Sequence, residues 1–308
     1  MAASLTIAQL TDVHLGPIAG FSPSHWNLKR LTGYANWLRN RKRVYQRSVL
    51  DRIVADLESQ HPDHIAVTGD LVNIGLPQEH ANALRWLESL GTPDRVTVIP
   101  GNHDIYSRLR ADPGTGRWAR YMTSDAGGAK FVDWGSDFPF VRILGRAALV
   151  GLNSAVPTPP LVASGRLGKE QLERLSGVLE RLGRAGLFRL VLIHHPPLTG
   201  QARQFRALED AAELQAVLRR QGAELVIHGH NHHSMLAWCA SATGQIPVVG
   251  APSAAPAYAY KGEPLARYNL YLVEGPPWRV ELVGRGLKEA GGPIVEIERR
   301  LLSPPAGA

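Results

Sequence analysis

Cysteine is nearly absent from this chain of 308 residues, which contains only Cys239. A single cysteine excludes an intramolecular disulfide and is typical of a reducing compartment. No apolar run reaches the ~18 residues that a membrane-spanning helix needs, and the start, MAASLTIAQLTDVH, lacks the basic and apolar regions of a signal peptide. We therefore expect a cytoplasmic globular protein.

Acidic residues are missing between Asp12 and Asp51, whereas this interval contains seven cations. The net charge of the whole chain is +7, so its remaining charges balance. A local excess of this kind favours a specific docking surface over general affinity for nucleic acid. The seven cations are Lys29, Arg30, Arg39, Arg41, Lys42, Arg43 and Arg47.

Residues 25–47, called the basic segment below, combine these cations with Trp26, Tyr34, Trp37 and Tyr45. This composition is typical of an amphipathic segment that lies on an anionic membrane. Such a segment would place the protein peripherally on the inner face of the membrane. The alternative is a solvated helix whose tryptophans pack on the protein. Cations between aromatic residues also bind single-stranded nucleic acid, but the block is short, and we do not expect nucleic acid as a partner. The sequence indicates no oligomeric state.

Short apolar runs alternate with helical patterns, which predicts an α/β protein with largely parallel central strands. The predicted strands are 5–10, 63–69, 95–101, 147–153, 188–195 and 223–229, and the predicted helices are 44–59, 78–90, 169–183 and 208–221. From about residue 234 the chain becomes rich in strand-like stretches without helices. We predict that this tail forms a second, more antiparallel sheet packed on the first.

Polar residues that bind metals follow five of the predicted strands. The stretch VIHGHNHH (226–233) alone contains four of the 12 histidines, and neutral imidazole is the commonest transition-metal ligand in proteins. Because sites in open α/β sheets gather beyond the carboxyl ends of strands, these residues are predicted to share one site. They are Asp12 and His14, Asp70, Asn102 and His103, His194, and His230 and His232.

The stretches TDVH, TGDLVN, PGNHD, IHHPP and HGHNHH occur in the order of the D-x-H, G-D, G-N-H-D, H and G-H-x-H blocks of the calcineurin-like metallophosphoesterases. The chain resembles this superfamily over about residues 5–233, most closely its bacterial cyclic-nucleotide phosphodiesterase branch. The resemblance implies an α/β fold, a four-layer αββα sandwich of two mixed β-sheets flanked by helices. We expect one such domain over residues 1–308, with the basic segment as an insertion.

The resemblance also implies two metal ions and divides the candidate ligands between them. Asp12, His14 and His232 would bind the first ion, Asn102, His194 and His230 the second, and Asp70 would bridge both. The motif IHHPP leaves the choice between His194 and His195 open, and we favour His194. Mixed nitrogen and oxygen ligands suit Mn, Fe, Zn or Co. Gly229 would let the backbone approach closely, with His228 and His233 as supporting or exposed residues.

The implied activity is hydrolysis of a phosphodiester, a cyclic nucleotide or a related compound, by in-line attack of a hydroxide that bridges the two ions. His103 would protonate the leaving oxygen or brace the transition state, and Asp104 would orient the His103 imidazole. The basic segment favours an alternative, a membrane-associated diphosphatase that acts on UDP-2,3-diacylglucosamine. A non-catalytic metal-binding scaffold is a third interpretation, disfavoured because a scaffold has no need of every one of these residues.

Overall fold

The structure is a computed structural model, and it describes residues 3–107, 112–135, 137–242 and 244–303. The strands within these residues are, in chain order, β1 (Ala3–Leu10), β2 (His64–Val67), β3 (Val96–Val98), β4 (Phe140–Leu144), β5 (Ala147–Gly151), β6 (Phe188–Leu192), β7 (Leu225–His228), β8 (Met235–Ser241), β9 (Gly244–Gly250), β10 (Arg267–Gly275), β11 (Arg279–Leu287) and β12 (Ile294–Leu301). Each of the six strands predicted before residue 234 is present, as β1, β2, β3, β5, β6 and β7.

The α-helices are α1 (Leu28–Asn36), α2 (Lys42–Val44), α3 (Arg47–Ser59), α4 (Pro77–Leu90), α5 (Lys169–Arg184) and α6 (Ala211–Gln221). A π-helical turn, Trp37–Arg41, connects α1 to α2. The helix predicted over 44–59 begins only at Arg47, because the backbone of Tyr45 and Gln46 is extended. Among the described residues, no helix has both the length and the hydropathy that crossing a bilayer requires.

The strands form two mixed six-stranded sheets, in the orders β12-β11-β10-β1-β2-β3 and β4-β5-β6-β7-β9-β8. In the first sheet β1, β2 and β3 are parallel, and in the second β5, β6, β7 and β9 are parallel. Helix α3 packs against the first sheet, and α5 packs against the second. The predicted four-layer αββα sandwich is therefore confirmed.

Alternate side chains of the central strands belong to different cores. On β6, Leu190 and Leu192 lie in the core between the sheets, whereas Val191 lies in the core beneath α5 and α6. Both faces of the strand are thus covered, which explains why its sequence, FRLVL, is apolar except for Arg189, a buried residue that pairs with Glu224.

The tail does not form a sheet of its own, and that prediction is wrong. Strands β8 and β9 extend the second sheet, because β9 pairs in parallel with β7. Strands β10, β11 and β12 extend the first sheet, because β10 pairs with β1 in an antiparallel register that places Leu5 opposite Val273. The apolar pattern of each strand predicted its existence, but pairing depends on contacts far apart in sequence.

Two strands, β4 and β12, were not predicted from the sequence. Strand β4 is joined to β5 by the two-residue turn Gly145–Arg146, where Gly145 has the positive φ (57°) that such hairpin turns require. Strand β12, IVEIERRL, is an edge strand whose charged residues interrupt the apolar alternation. Charges of this kind protect sheet edges from pairing with other chains.

Candidate metal centre

The seven residues predicted as metal ligands meet at the carboxyl ends of the parallel strands of both sheets. They follow β1, β2, β3, β6 and β7, and each is buried. Strand ends of two facing sheets therefore supply one site, as the order of the motifs predicts. The seven are Asp12, His14, Asp70, Asn102, His194, His230 and His232.

Five of these residues have a left-handed backbone, with φ between 42° and 68°. Strand β7 ends at His228, so His230 and His232 lie in the loop that follows it and not in extended backbone. Left-handed Asp and His residues are uncommon, and strained backbone of this kind clusters at functional sites. The five are Asp12, His14, Asp70, His230 and His232.

The first group comprises Asp12, His14 and His232, whose ligand atoms lie within 4.8 Å of one another. His232 Nε2 lies 3.0 Å from Asp12 Oδ1. Gly229 permits this approach, since a Cβ atom there would lie 2.6 Å from Asp12 Oδ2. The structure thus shows the close backbone approach that was predicted for this glycine.

The second group surrounds the Asn102 side chain. Asn102 Oδ1 lies 2.8 Å from His230 Nδ1 and 3.2 Å from His194 Nε2. The neighbouring His195 points elsewhere, and its ring nitrogens contact Ser154 Oγ at 2.8 Å and the Ala163 carbonyl oxygen at 3.2 Å. This geometry favours His194 over His195 as the residue that faces the site.

Asp70 lies between the two groups. Its Oδ2 atom is 3.9 Å from His14 Nε2 and 3.5 Å from His194 Nε2. Its Oδ1 atom accepts a hydrogen bond from the His103 backbone amide at 2.7 Å. A carboxylate in this position is suited to contact two cations at once.

The ring orientations fit metal binding. The Nδ1 atoms of His14 and His194 lie 3.1 and 2.7 Å from the carbonyl oxygens of Val72 and Thr68, so each ring donates through Nδ1 and directs Nε2 into the site. Among the described residues, His14 Nε2 and His230 Nε2 are buried without a hydrogen-bond partner. A buried polar atom left in this way costs about 1–3 kcal/mol, and a cation would satisfy it.

The electrostatics of the site favour cations. Burial opposes ionisation of Asp12, but His232 overcomes this and lowers the pKa of Asp12 to about 2. Burial also disfavours charged His194 and His232, yet Asp70 and Asp12 respectively raise the pKa of each imidazole to about 9. Carboxylates that stabilise imidazolium charges so strongly will stabilise metal cations in the same place.

Asp104 does not orient His103, which corrects its predicted role. Its carboxylate instead accepts hydrogen bonds from backbone amides of the loops after β2 and β3, at 2.8 to 3.1 Å. The His103 Nδ1 atom donates to the Asn73 carbonyl oxygen. Asp104 therefore braces the two loops that carry Asp70 and Asn102. The amides belong to Asp70, Leu71, Val72 and Gly101.

The basic segment enters the site, which the sequence did not predict. Arg41, at the end of the π-helical turn, donates to His103 Nε2 at 3.2 Å. The Tyr45 hydroxyl lies 3.0 Å from His232 Nδ1 and donates to Glu263 Oε2 at 3.2 Å. The composition of the segment indicated a surface element, and no local motif distinguished these two residues from its other cations and aromatics.

Glu263 is a third residue of the site that the sequence did not predict. Its Oε2 atom lies 2.8 Å from His232 Nδ1. A carboxylate in this position would fix the imidazole tautomer and direct Nε2 toward a bound metal ion. Glu263 follows β9 in a loop with no recognisable motif, so only the structure reveals its role.

We expect Glu263→Gln to weaken metal binding by about 10–100-fold, because the amide keeps the shape of the side chain but loses the charge that supports His232. Competition with a metal chelator measures the affinity. Glu274→Gln, an exposed position on β10, serves as the matched control. Equal affinities for both variants would show that Glu263 does not support the site.

A cavity of about 350 Å³ opens above these residues. Asp70, His103 and His230 line it, together with Lys29 and Arg41 of the basic segment. The exposed apolar side chains of Leu161 and Phe205 also line it and therefore mark its rim. A ligand in this cavity would contact the metal centre and two cations together.

Comparison with known proteins agrees with this geometry. The model of the family described as calcineurin-like phosphoesterase matches residues 5–234, and the chain belongs to this family. It is thus a metal-dependent phosphoester hydrolase, and the prediction drawn from its motifs is confirmed. The scaffold interpretation is not supported.

Two cyanobacterial relatives are similar over most of the chain. A probable cyclic nucleotide phosphodiesterase of Synechococcus is 27% identical over 286 residues, which cover 91% of this chain and 92% of the relative. A 3′,5′-cyclic-nucleotide phosphodiesterase of Nostoc is 26% identical over 231 residues, which cover 74% of this chain and 71% of the relative.

Solved structures share the fold. A dimetal phosphatase from Danio rerio superposes with a TM-score of 0.60 at 17% identity, covering 95% of this chain and 98% of the other. A purple acid phosphatase from yellow lupin superposes with a TM-score of 0.54 at 12% identity, covering 98% of this chain and 54% of the other. At these identities the likeness supports the architecture alone.

Proposed function

We propose that the chain is a dinuclear-metal phosphodiesterase that hydrolyses a cyclic nucleotide or a related phosphodiester. The observation that carries the proposal is the position of Asp70 Oδ2 between His14 and His194, which joins the two groups of candidate ligands. The names of the two relatives, similar over most of the chain, support the substrate class.

In this proposal Asp12, His14 and His232 would hold one ion, Asn102, His194 and His230 would hold the other, and Asp70 would contact both. When bound, the two ions supply a nucleophile at neutral pH and stabilise the charge of the phosphoryl group. The protein fixes the ring orientations through the Val72 and Thr68 carbonyl oxygens and the Glu263 carboxylate.

Arg41 and His103 act together beside the metal centre. Because His103 donates from Nδ1 to Asn73, its Nε2 lone pair accepts the hydrogen bond from Arg41 and holds the guanidinium at the cavity. A guanidinium presents several N–H donors in a rigid fork that suits phosphoryl oxygens. We assign His103 to positioning Arg41, and Arg41 to stabilising negative charge on the phosphoryl group.

A second candidate is a membrane-associated diphosphatase acting on a UDP-2,3-diacylglucosamine-type substrate. The observation that favours it is the apolar rim of the cavity, where Leu161 is 87% exposed. A lipid chain leaving the cavity would cover such a residue. The two candidates differ in substrate and share the same metal chemistry.

A panel of substrates tests which of the two candidate activities the protein has. The purified protein is loaded with Mn²⁺ and assayed with cyclic nucleotides, nucleotide-sugar diphosphates and bis(p-nitrophenyl) phosphate. We expect the highest kcat/KM with a cyclic nucleotide, complete loss of activity on chelation and recovery when Mn²⁺ is restored. A higher kcat/KM with the diphosphates would replace the first candidate by the second, and activity that survives chelation would contradict both.

A further inference from the structure

Helix α1 has its charged and apolar residues on the opposite sides from those expected of a surface helix. Lys29 and Arg30 are only 9% and 4% exposed, whereas Leu28 and Leu31 are 68% and 42% exposed. A surface helix normally buries its apolar face and exposes its charges. The leucines of α1 therefore form a face that nothing in the described part of the chain covers.

Specific contacts hold this orientation. The Asn27 side chain accepts from the Arg30 backbone amide at 2.8 Å and so begins the helix. The Arg30 guanidinium donates to the carbonyl oxygens of Ile74 and Gly75 at 3.2 and 2.8 Å, and Lys29 Nζ donates to Thr158 Oγ1 at 2.6 Å. The buried cations are thus satisfied, and the outward direction of the leucines follows from how the helix is anchored.

The exposed apolar face continues beyond α1 at both ends. Trp26 precedes the helix and Leu38 follows it, and both are exposed. We call Trp26, Leu28, Leu31 and Leu38 the apolar face. The buried anchor of the π-helical turn is Trp37. Trp26 is 56% exposed, and its ring lies 6.5 Å from that of Phe21.

Exposed cations stand beside the apolar face. Arg39, Lys42 and Arg43 are exposed, and within the described residues none of the three forms an ion pair with a carboxylate. Acidic residues are absent between Asp12 and Asp51, so the basic segment itself contributes only positive charge to this surface. Apolar residues flanked by unpaired cations match the interface of an anionic bilayer, where leucine and tryptophan enter the acyl boundary and cations contact lipid phosphates.

We propose that the apolar face and the cations Arg39, Lys42 and Arg43 dock the protein onto an anionic membrane surface. The basic segment also lines the catalytic cavity through Lys29 and Arg41. Docking therefore places that cavity next to the lipid surface. The inference goes beyond the proposed function, because membrane binding is measured without turnover.

Cosedimentation with vesicles tests the proposal. The protein is mixed at low salt with vesicles of phosphatidylcholine alone or of phosphatidylcholine with phosphatidylglycerol. We expect binding only to the anionic vesicles, weakening as salt is added. Replacing Arg39, Lys42 and Arg43 by Gln should weaken binding about 100-fold, since each cation near an anionic surface contributes about a factor of five.

Matched variants separate the apolar contribution from the charge. Leu31→Ser should weaken vesicle binding several-fold, and Leu28→Ser combined with Leu31→Ser should weaken it further. Leu301→Ser, at a position 43% exposed on β12, should bind as the wild type does. The exposed cations Lys130, Arg219 and Lys288, replaced together by Gln, provide the charge control. Thermal unfolding of every variant confirms that the fold is retained.

Three results would overturn the proposal. The first is wild-type protein that ignores anionic vesicles at low salt. The second is a concentration-dependent dimer that Leu31→Ser dissociates, which would assign the apolar face to a second copy of the chain. The third is single-stranded nucleic acid that binds more tightly than the vesicles and competes with them.

Discussion

Asp70→Asn is expected to abolish turnover and to leave the protein unable to retain two metal ions per chain. Asp70 lies between the two groups of candidate ligands, with Oδ2 3.9 Å from His14 Nε2 and 3.5 Å from His194 Nε2. Two cations ~3.5–4 Å apart repel each other, and a shared negative charge offsets that repulsion. Asparagine keeps the volume of the side chain but removes that charge.

The loss of turnover should reach about 10³-fold or more, since a metal pair contributes several kcal/mol and each 1.36 kcal/mol corresponds to about tenfold in rate. Elemental analysis of the purified variant gives the metal content, and thermal unfolding shows whether the fold is intact. His233→Ala is the control, because His233 is exposed beside the ligands and should keep both ions. A variant with two metals and near-normal turnover would refute the role of Asp70.

His103→Ala should retain both metals and lose about 10²–10³-fold in turnover, the effect of removing one electrostatic stabiliser from an active site. Desolvation and Arg41 lower the pKa of His103 to about 4, so the imidazole is neutral at pH 7. Its Nδ1 atom donates to Asn73, and its Nε2 atom carries the lone pair that holds Arg41. In this state Nε2 has no proton to give to a leaving group. A role in positioning Arg41 is therefore favoured over general-acid catalysis.

The leaving group distinguishes the two roles. If His103 positions Arg41, the loss is the same for nitrophenol esters and for substrates with poor leaving groups. A loss that shrinks for nitrophenol esters would restore the general-acid role. Arg41→Gln should lower turnover by a similar factor. The double variant should lower turnover little more than either single variant, because the effects of residues that act as a unit are not additive.

Much of the site could be predicted because its residues follow strands whose apolar patterns are strong. The parallel strands β1, β2, β3, β6 and β7 place their carboxyl ends together, so motifs far apart in sequence predict one site. The left-handed backbone at Asp12, Asp70 and His230 was not predicted. Asp and His are enriched in that conformation, but only the tertiary structure decides which of them adopt it.

The contributions of the basic segment and of Glu263 could not be read from the sequence. Composition indicates that residues 25–47 lie near a surface, but it does not show that Arg41 reaches His103 or that Tyr45 contacts His232. The inward direction of Lys29 and Arg30 is likewise decided by acceptors elsewhere in the chain, the carbonyl oxygens of residues 74 and 75 and the Thr158 hydroxyl. Contacts of this kind have no local pattern.

The division of the tail between two sheets also depends on contacts that have no local pattern in the sequence. Strands β8 and β10 are similar apolar stretches, yet β8 joins the second sheet through β9 and β10 joins the first through β1. Local propensity predicts that a strand forms. Which sheet the strand joins depends on packing against neighbouring strands that are distant in sequence. The strand-like stretches of the tail were therefore predicted correctly, whereas their arrangement in one separate sheet was wrong.

Anomalous diffraction from crystals grown with Mn²⁺ shows whether the site binds two metal ions. We expect two anomalous peaks ~3.5–4 Å apart. One peak lies beside Asp12, His14 and His232, the other lies beside Asn102, His194 and His230, and Asp70 contacts both. A single peak, or peaks that leave Asp70 without a metal, would contradict a dinuclear centre in this protein.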